Sequence, residues 1–254
     1  MKTEILYEDN SILVIRKPAG LAVQSAGIGQ PDVVSELKSY LAKLPSAGRP
    51  GKGEPYLGIV HRLDQPVEGL LVFAKDKKAA ATLSKQLTEG ALNKHYYAVL
   101  CGYPDCPEGD LVDYLRKEGN MALAVTGREQ EFADAKIAVL HYRILEEIND
   151  PSPLALADVT IETGRFHQIR VQFAHAGFPL LGDTKYGMAA RKEAMPAQKY
   201  RGVALCAYSL ELVHPISGKK MGFRVVPKNP AFAGFAMEEL KKLTEKETVI
   251  SKRG

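Results

Sequence analysis

Tryptophan is absent from the 254 residues, and cysteine occurs only at Cys101, Cys106 and Cys206. An odd number of thiols without a C-x-x-C pair argues against a disulfide framework of the kind that staples small secreted domains. Cys101 and Cys106 have no second pair of ligands downstream, so a zinc site is not expected, and small packed or partly exposed thiols are the reading that remains. No apolar run reaches the roughly 18 residues of a membrane helix. The start, Met1-Lys2-Thr3-Glu4-Ile5-Leu6-Tyr7-Glu8-Asp9, has no apolar signal core. A cytoplasmic protein without membrane attachment is the expectation.

Familiar catalytic signatures are missing as well. There is no G-x-x-x-x-G-K, no G-x-G-x-x-G opening a helix and no H-E-x-x-H, so nucleotide-binding folds and zinc hydrolases have little support. There is no G-x-S-x-G elbow. The six histidines, His61, His95, His141, His167, His175 and His214, are scattered, and neither a metal nor a cofactor is expected.

What is present is an ordinary globular composition, 45% hydrophobic and 25% charged. A chain of this length is near the upper size at which one core still grows, so a single domain over residues 1–254 is expected. The net charge of +4 is unevenly placed: residues 1–127 carry 15 basic and 15 acidic side chains, residues 128–254 carry 19 and 15. Between Lys185 and Arg201, Lys185, Arg191, Lys192, Lys199 and Arg201 face one acid, Glu193. Such a segment either attracts a phosphate backbone or is a solvated loop, and charge alone leaves both open.

The pattern along the chain reads as many short strands with few helices. Ile5–Tyr7 and Ile12–Arg16 flank the turn cluster Asp9-Asn10-Ser11 and predict a hairpin closed by Lys17-Pro18-Ala19-Gly20. Val33, Val34, Leu37, Leu41 and Leu44 form a helical stripe after Pro31-Asp32. Leu57–Val60 and Leu70–Ala74 predict buried strands. Asp76 is the natural N-cap of a helix reaching Thr88, with Gly90 as its stop. Strands follow over Leu92–Leu100, Leu111–Leu115, Met121–Val125, Lys136–Glu147, Leu154–Glu162, Ala204–Leu212 and Met221–Val226. Helices are predicted over Phe166–Ala176 and Phe232–Leu243. Without a βαβα rhythm, this predicts an α+β fold with a largely antiparallel sheet.

Two polar clusters interrupt these elements. His61-Arg62-Leu63-Asp64 lies between two apolar strands, where active-site loops tend to sit, although a turn closed by an Arg62–Asp64 contact gives the same pattern. Thr163-Gly164-Arg165-Phe166-His167-Gln168-Ile169-Arg170 follows a strand and opens a helix. Arg165 near a helix N-terminus is disfavoured by the dipole unless an anion offsets it, and Asp64 is a candidate for that anion.

With these clusters in place, the sequence resembles the RluA-type pseudouridine synthases. The stretch His61–Asp64 followed by Gly69-Leu70-Leu71-Val72-Phe73-Ala74-Lys75 is similar to their catalytic-aspartate motif. Lys94-His95-Tyr96-Tyr97-Ala98-Val99 is similar to their K-x-Y-x-A strand. Thr163–Arg170 with Gly177-Phe178-Pro179-Leu180-Leu181-Gly182-Asp183-Thr184-Lys185-Tyr186-Gly187 is similar to their third motif. Lys17-Pro18-Ala19-Gly20-Leu21 and Leu205-Cys206-Ala207-Tyr208-Ser209-Leu210 match in type and order. The resemblance covers about residues 5 to 226.

It implies a mixed, mainly antiparallel sheet bent around a central catalytic cleft, flanked by helices and loops. It implies conversion of uridine to pseudouridine in a ribosomal or transfer RNA stem-loop, with no cofactor and no obligate protein partner. Asp64 matches the catalytic aspartate, Tyr96 the tyrosine that packs on the target base, and Arg165 the arginine that pairs with the aspartate and favours its charged form. Arg62 matches the residue that enters the RNA stack where the target leaves. His61, Arg170, Lys185, Arg191 and Lys192 are further candidates for RNA contact. No separate N-terminal RNA-binding domain is expected, because catalytic-type sequence begins by residue 5. Val67-Glu68 replaces the Thr-Ser usual in the family, and Glu68 is expected to face RNA rather than a local base. Two other classes fit less well: an RNA-binding protein that keeps the cleft without turnover, and an unrelated hydrolase with Asp64 as nucleophile.

Overall fold

The computed structural model describes residues 1–25, 27, 29–44, 54–126, 134–149, 152–187 and 202–236. The fold is α+β with mainly antiparallel strand pairing. Two compact units emerge. One joins Met1–Asn93 to Ser209–Val225, and the other joins Lys94–Tyr208 to the described residues from Val226.

The first unit opens with the expected hairpin, β1 (Glu4–Glu8) and β2 (Ile12–Lys17). Its turn is fixed by Asp9, whose carboxylate accepts from the amides of Ser11 and Ile12 at 2.7 and 2.8 Å, an Asx turn. Helix α1 (Val33–Lys43) is capped by Asp32, which accepts from Ser35 N at 2.7 Å. It buries Val33, Val34, Leu37 and Leu41, each worth about 1.5–3 kcal/mol of apolar burial. Glu36 of α1 accepts from the amides of Lys2 and Thr3, and Tyr40 donates to Glu8, so the helix is tied to the start of the chain.

Short β3 (Gly58–Ile59) pairs with β4 (Glu68–Ala74), which pairs on its other side with β2. Every residue of β2 and β4 is buried, which is why Ile12–Ile15 and Leu70–Ala74 read as continuous apolar runs rather than alternating ones. Helix α2 (Lys77–Thr88) follows, capped by Asp76 onto Ala79 N. Gly90, at φ +71°, ends it in the left-handed conformation that glycine adopts without strain. The later residues of β10 (Leu205–Val213) and β11 (Lys220–Arg224) complete this unit, with register Ser209 to Arg224 through Val213 to Lys220.

The second unit carries β5 (Asn93–Cys101), β6 (Glu108–Glu118), β7 (Met121–Val125), β8 (Lys136–Ile148) and β9 (Leu154–Ile161) in the spatial order β5-β9-β8-β6-β7, with the first residues of β10 beside β5. β6 extends on both sides of the expected Leu111–Leu115. Helix α3 (Gln168–His175) packs Val171 into a cluster with Leu115, Ala122, Ala138 and Tyr186. It starts two residues later than the periodicity predicts. Of the helix expected over Phe232–Leu243, only its beginning falls among the described residues, and there Pro230–Phe232 form a 3-10 turn capped by Asn229. The remainder, 237–243, lies outside them.

Candidate active site

In the first unit, the loop from Val60 to Val67 carries Asp64. Leu63 and Val67 are buried at 9% and 1% exposure and act as apolar anchors on either side. Between them Asp64 is half-buried, and its neighbours Arg62 and Gln65 are exposed. Val67 N donates to the Asp64 carbonyl at 3.1 Å, closing a tight turn under the carboxylate.

This loop is laced to the segment after β2. Gly20 N donates to the Gln65 carbonyl at 2.8 Å, and the Gln65 side-chain amide returns a bond to the Gly20 carbonyl at 3.1 Å. Gly20 holds φ +84°, a conformation that costs other residues energy. Below them lies Lys17, fully buried. Its ammonium donates to the carbonyls of Leu21, Pro18 and Gln65 at 2.7, 2.9 and 3.0 Å, which matches its three donors to three acceptors. Burial pushes Lys17 down to about 7, while the charges of Asp64 and Glu68 pull the other way. Lys17 therefore fixes the backbone next to Asp64 and sets a titratable charge beneath it. The one sequence signal for this role is a lysine at the end of a strand that begins with four apolar residues, in the segment that closes the hairpin.

Three expectations about RNA contact change on this geometry. His61 is buried, and its Nε2 accepts from Val72 N at 3.3 Å. The β3–β4 ladder ends at Ile59 opposite Phe73, so Val72 N–H needs another acceptor and the imidazole supplies it. Glu68 is 3% exposed and pairs with Arg16 at 3.3 Å, so it faces a local base and not solvent. Arg170 is 4% exposed and clasps Asp183 at 2.7 and 2.9 Å. Its helix is buried from Gln168 to Phe173, and a guanidinium there requires a carboxylate.

In the second unit, Tyr96 lies on β5 opposite Val159, with 5% of its surface exposed. Its neighbours point to the opposite face, where Tyr97 stacks on Tyr208 with centroids 3.8 Å apart and planes at 7°. Tyr208 donates to Asp158 at 3.2 Å, and burial, followed by the charge of Asp158, raises its phenol. Arg165 precedes α3 and is half-buried, and its Nε donates to the Ile137 carbonyl at 2.8 Å. The helix begins late because the Gln168 side chain is used inward. Its Oε1 accepts from Arg165 N and the Thr163 hydroxyl, and its Nε2 donates to the Val139 carbonyl. His167 stands at the junction with φ 56°. Lys185 donates from its ammonium to the Asn120 carbonyl at 2.6 Å. Arg191 and Lys192 lie outside the described residues.

Comparison with known proteins converges on one group. The family model described as RNA pseudouridylate synthase matches residues 11–175. Ribosomal large subunit pseudouridine synthase D of Zymomonas mobilis subsp. mobilis is 35% identical over 225 residues, covering 87% of this chain and 68% of that protein. The protein of the same name from Pseudomonas aeruginosa is 36% identical over 230 residues, covering 87% and 67%. That of Escherichia coli O6:H1 is 38% identical over 232 residues, covering 86% and 65%, so the chain spans about two thirds of the length of these relatives. Two solved structures share the fold. Human RNA pseudouridylate synthase domain containing 4 has a TM-score of 0.69 at 24% identity, covering 94% of this chain and 93% of its own. Human RNA pseudouridylate synthase domain containing 1 has a TM-score of 0.71 at 18% identity, covering 96% and 94%. No helix among the described residues is long and apolar enough to cross a membrane. The matched stretch contains the loop of Asp64, the strand of Tyr96 and the turn of Arg165, and the chain belongs to the RNA pseudouridine synthase family.

Proposed function

We propose that this enzyme converts uridine to pseudouridine in large-subunit ribosomal RNA, in the cytoplasm, with Asp64 as its catalytic carboxylate. The observation that carries the reading is the loop around Asp64. A half-exposed carboxylate sits between two buried anchors, on a backbone pinned by a buried lysine. Rigid placement of this kind is what a group acting on a bound nucleotide needs. The substrate follows the names of the bacterial relatives, and a stem-loop is the RNA shape proposed.

In the reaction the N1–C1′ bond breaks, the uracil turns in place and C5 bonds to C1′. The C5 proton is lost and N1 gains one, so no redox partner or external group enters. Tyr96 is proposed to lie against the base and assist removal of the C5 proton, and Arg165 to supply positive charge at the catalytic centre. Arg62, exposed two residues before Asp64, is proposed to fill the gap left when the target base leaves the stack, an extrusion that costs a few kcal/mol. Lys185, Arg191 and Lys192 are proposed to meet phosphates.

The test combines two measurements. Pseudouridine is mapped in total RNA from cells with and without the gene, and turnover of Asp64→Asn is measured on an unmodified ribosomal RNA transcript. The expected outcome is loss of one or more large-subunit sites in the cells and loss of product in vitro with RNA binding retained. An Asn variant within a few-fold of wild type rejects Asp64, and loss of sites only in transfer RNA rejects the substrate.

A further inference from the structure

Phe166 is exposed at 39%, unlike most of the large apolar side chains around it. It is not a loose surface residue. Its ring stacks on His167 with centroids 3.8 Å apart and planes at 22°. The Lys117 ammonium lies 5.0 Å from the ring centroid. A parallel imidazole at that spacing fills one face, so the ammonium occupies the other.

The backing imidazole is itself fixed. The Tyr186 hydroxyl accepts from Ala122 N at 2.9 Å and is hydrogen-bonded to His167 Nδ1 at 2.6 Å. Tyr186 is 6% exposed and packs beneath the Arg170 guanidinium. His167 is the one non-glycine residue at positive φ among the described residues, at 56°. That left-handed turn separates Phe166 from the helix that begins at Gln168. A non-glycine residue in this region is uncommon and is held by its surroundings. The result is a rigid aromatic plate backed by an imidazole, with the exposed Lys117 ammonium against the ring.

The charge nearby has one sign in excess. Lys117 and Lys136 are exposed, Lys185 is held at the β6–β7 turn, and Arg165 precedes the plate. Of the nearby acids, Glu162, four residues before the ring, lies 2.8 Å from His141 Nε2, and Glu118, next to Lys117, is engaged by Arg116 at 3.7 Å. An exposed aromatic ring among cations is the combination that single-stranded nucleic acids use, since every base has a π-face and every nucleotide a phosphate.

We propose that Phe166, backed by His167, is a stacking platform for an unpaired RNA base other than the target uridine, and that Lys117 swings from the ring to the adjoining phosphate when that base docks. The platform rests on the reading that RNA is the substrate, and it adds a second point of attachment to the one at Asp64. Stacking is tolerant of sequence, so the platform contributes affinity and register rather than choice of base.

The experiment uses the full chain and an unmodified, fluorescein-labelled transcript of large-subunit ribosomal RNA, with affinity measured over a salt series. Phe166→Leu is expected to weaken binding on the order of tenfold without changing the slope of log K against log salt, and Phe166→Trp to restore it. Lys117→Gln is expected to weaken binding and flatten that slope by about 0.7, one single-strand phosphate contact. A Leu variant that binds as wild type, or a Trp variant as weak as Leu, overturns the platform. An unchanged slope in Lys117→Gln overturns the lysine's movement. If wild type modifies the transcript while the Leu variant is unaffected, the platform alone falls. If wild type neither binds nor modifies ribosomal or transfer RNA, the reading of the substrate falls and takes the platform with it.

Discussion

Glu68 and Arg16 form an ion pair of 3.3 Å in the sheet of the first unit, their side chains 4% and 10% exposed. Glu68 opens β4 and Arg16 lies on β2, in register with Leu70. The carboxylate four residues after Asp64 is thus spent inside the protein. Glu68→Gln removes one charge of a buried ion pair, and breaking such a pair typically costs about 3–5 kcal/mol. The expected outcome is a lower melting temperature with unchanged affinity for non-cognate RNA at low salt. Tighter non-cognate binding with stability intact would return Glu68 to the RNA-facing role.

Lys17 gives the stability of the protein a particular dependence on pH. Burial depresses its ammonium from 10.5 to about 7. Between these values the unfolded chain binds a proton that the folded chain does not, so stability rises with pH across that window. The slope contributed is at most about 1.4 kcal/mol per pH unit. Lys17→Met removes it. Urea unfolding of both proteins from pH 6.5 to 10.5 should give a wild-type curve that gains on the variant as pH rises, and parallel curves would show that Lys17 keeps its proton throughout.

Sequence reading succeeded where the determining contacts are local. The first hairpin follows from Asp9 closing its own turn, and α1 and α2 from Asp32 and Asp76 bonding amides three residues on. The reading failed where a polar side chain takes a partner far along the chain. Lys17 reads as part of the segment that closes the hairpin, and its burial depends on the carbonyl of Gln65, far along the chain, which accepts from its ammonium. His61 and Glu68 look like members of a polar loop until Val72 N and Arg16 are placed against them. α3 starts at Gln168 rather than Phe166 for a similar reason, since Gln168 bonds back to Arg165 and Thr163 and across to β8. Asp64 was legible as a candidate because its position between two apolar strands is a local fact. Its role is what the family resemblance implies.

Arg170 offers a test of geometry at constant charge. Its guanidinium meets both oxygens of Asp183, with side chains 5% and 0% exposed. Asp183 also accepts from the amides of Lys185 and Tyr186, so the pair holds the turn that carries the Tyr186 ring. A lysine keeps the charge but cannot form the two-pronged contact. Arg170→Lys should cost about 2 kcal/mol, the loss of a charge-assisted hydrogen bond in a buried site. Its RNA salt slope should match wild type, because the guanidinium is buried against Asp183. A flattened slope with stability intact would place Arg170 on the RNA after all.

His141 carries a pH dependence opposite in sign to that of Lys17. Its ring lies between Glu162, 2.8 Å from Nε2, and Asp110 at Nδ1. Bonds to Glu162 and then to Asp110 raise it above 6.5 despite some desolvation. A base raised in the folded state contributes stability that is fully present below its unfolded value and is lost as pH climbs through the folded value. The three side chains are exposed, so solvent screening keeps the contribution to about 0.2–1 kcal/mol. Removing the histidine also leaves Asp110 and Glu162 facing each other without a cation. Wild type should therefore be more stable than His141→Gln at pH 5.5, with the difference shrinking by pH 8.5, and added salt should reduce it at the acid end. A difference that grows with pH would mean the imidazole is held neutral between its two carboxylates.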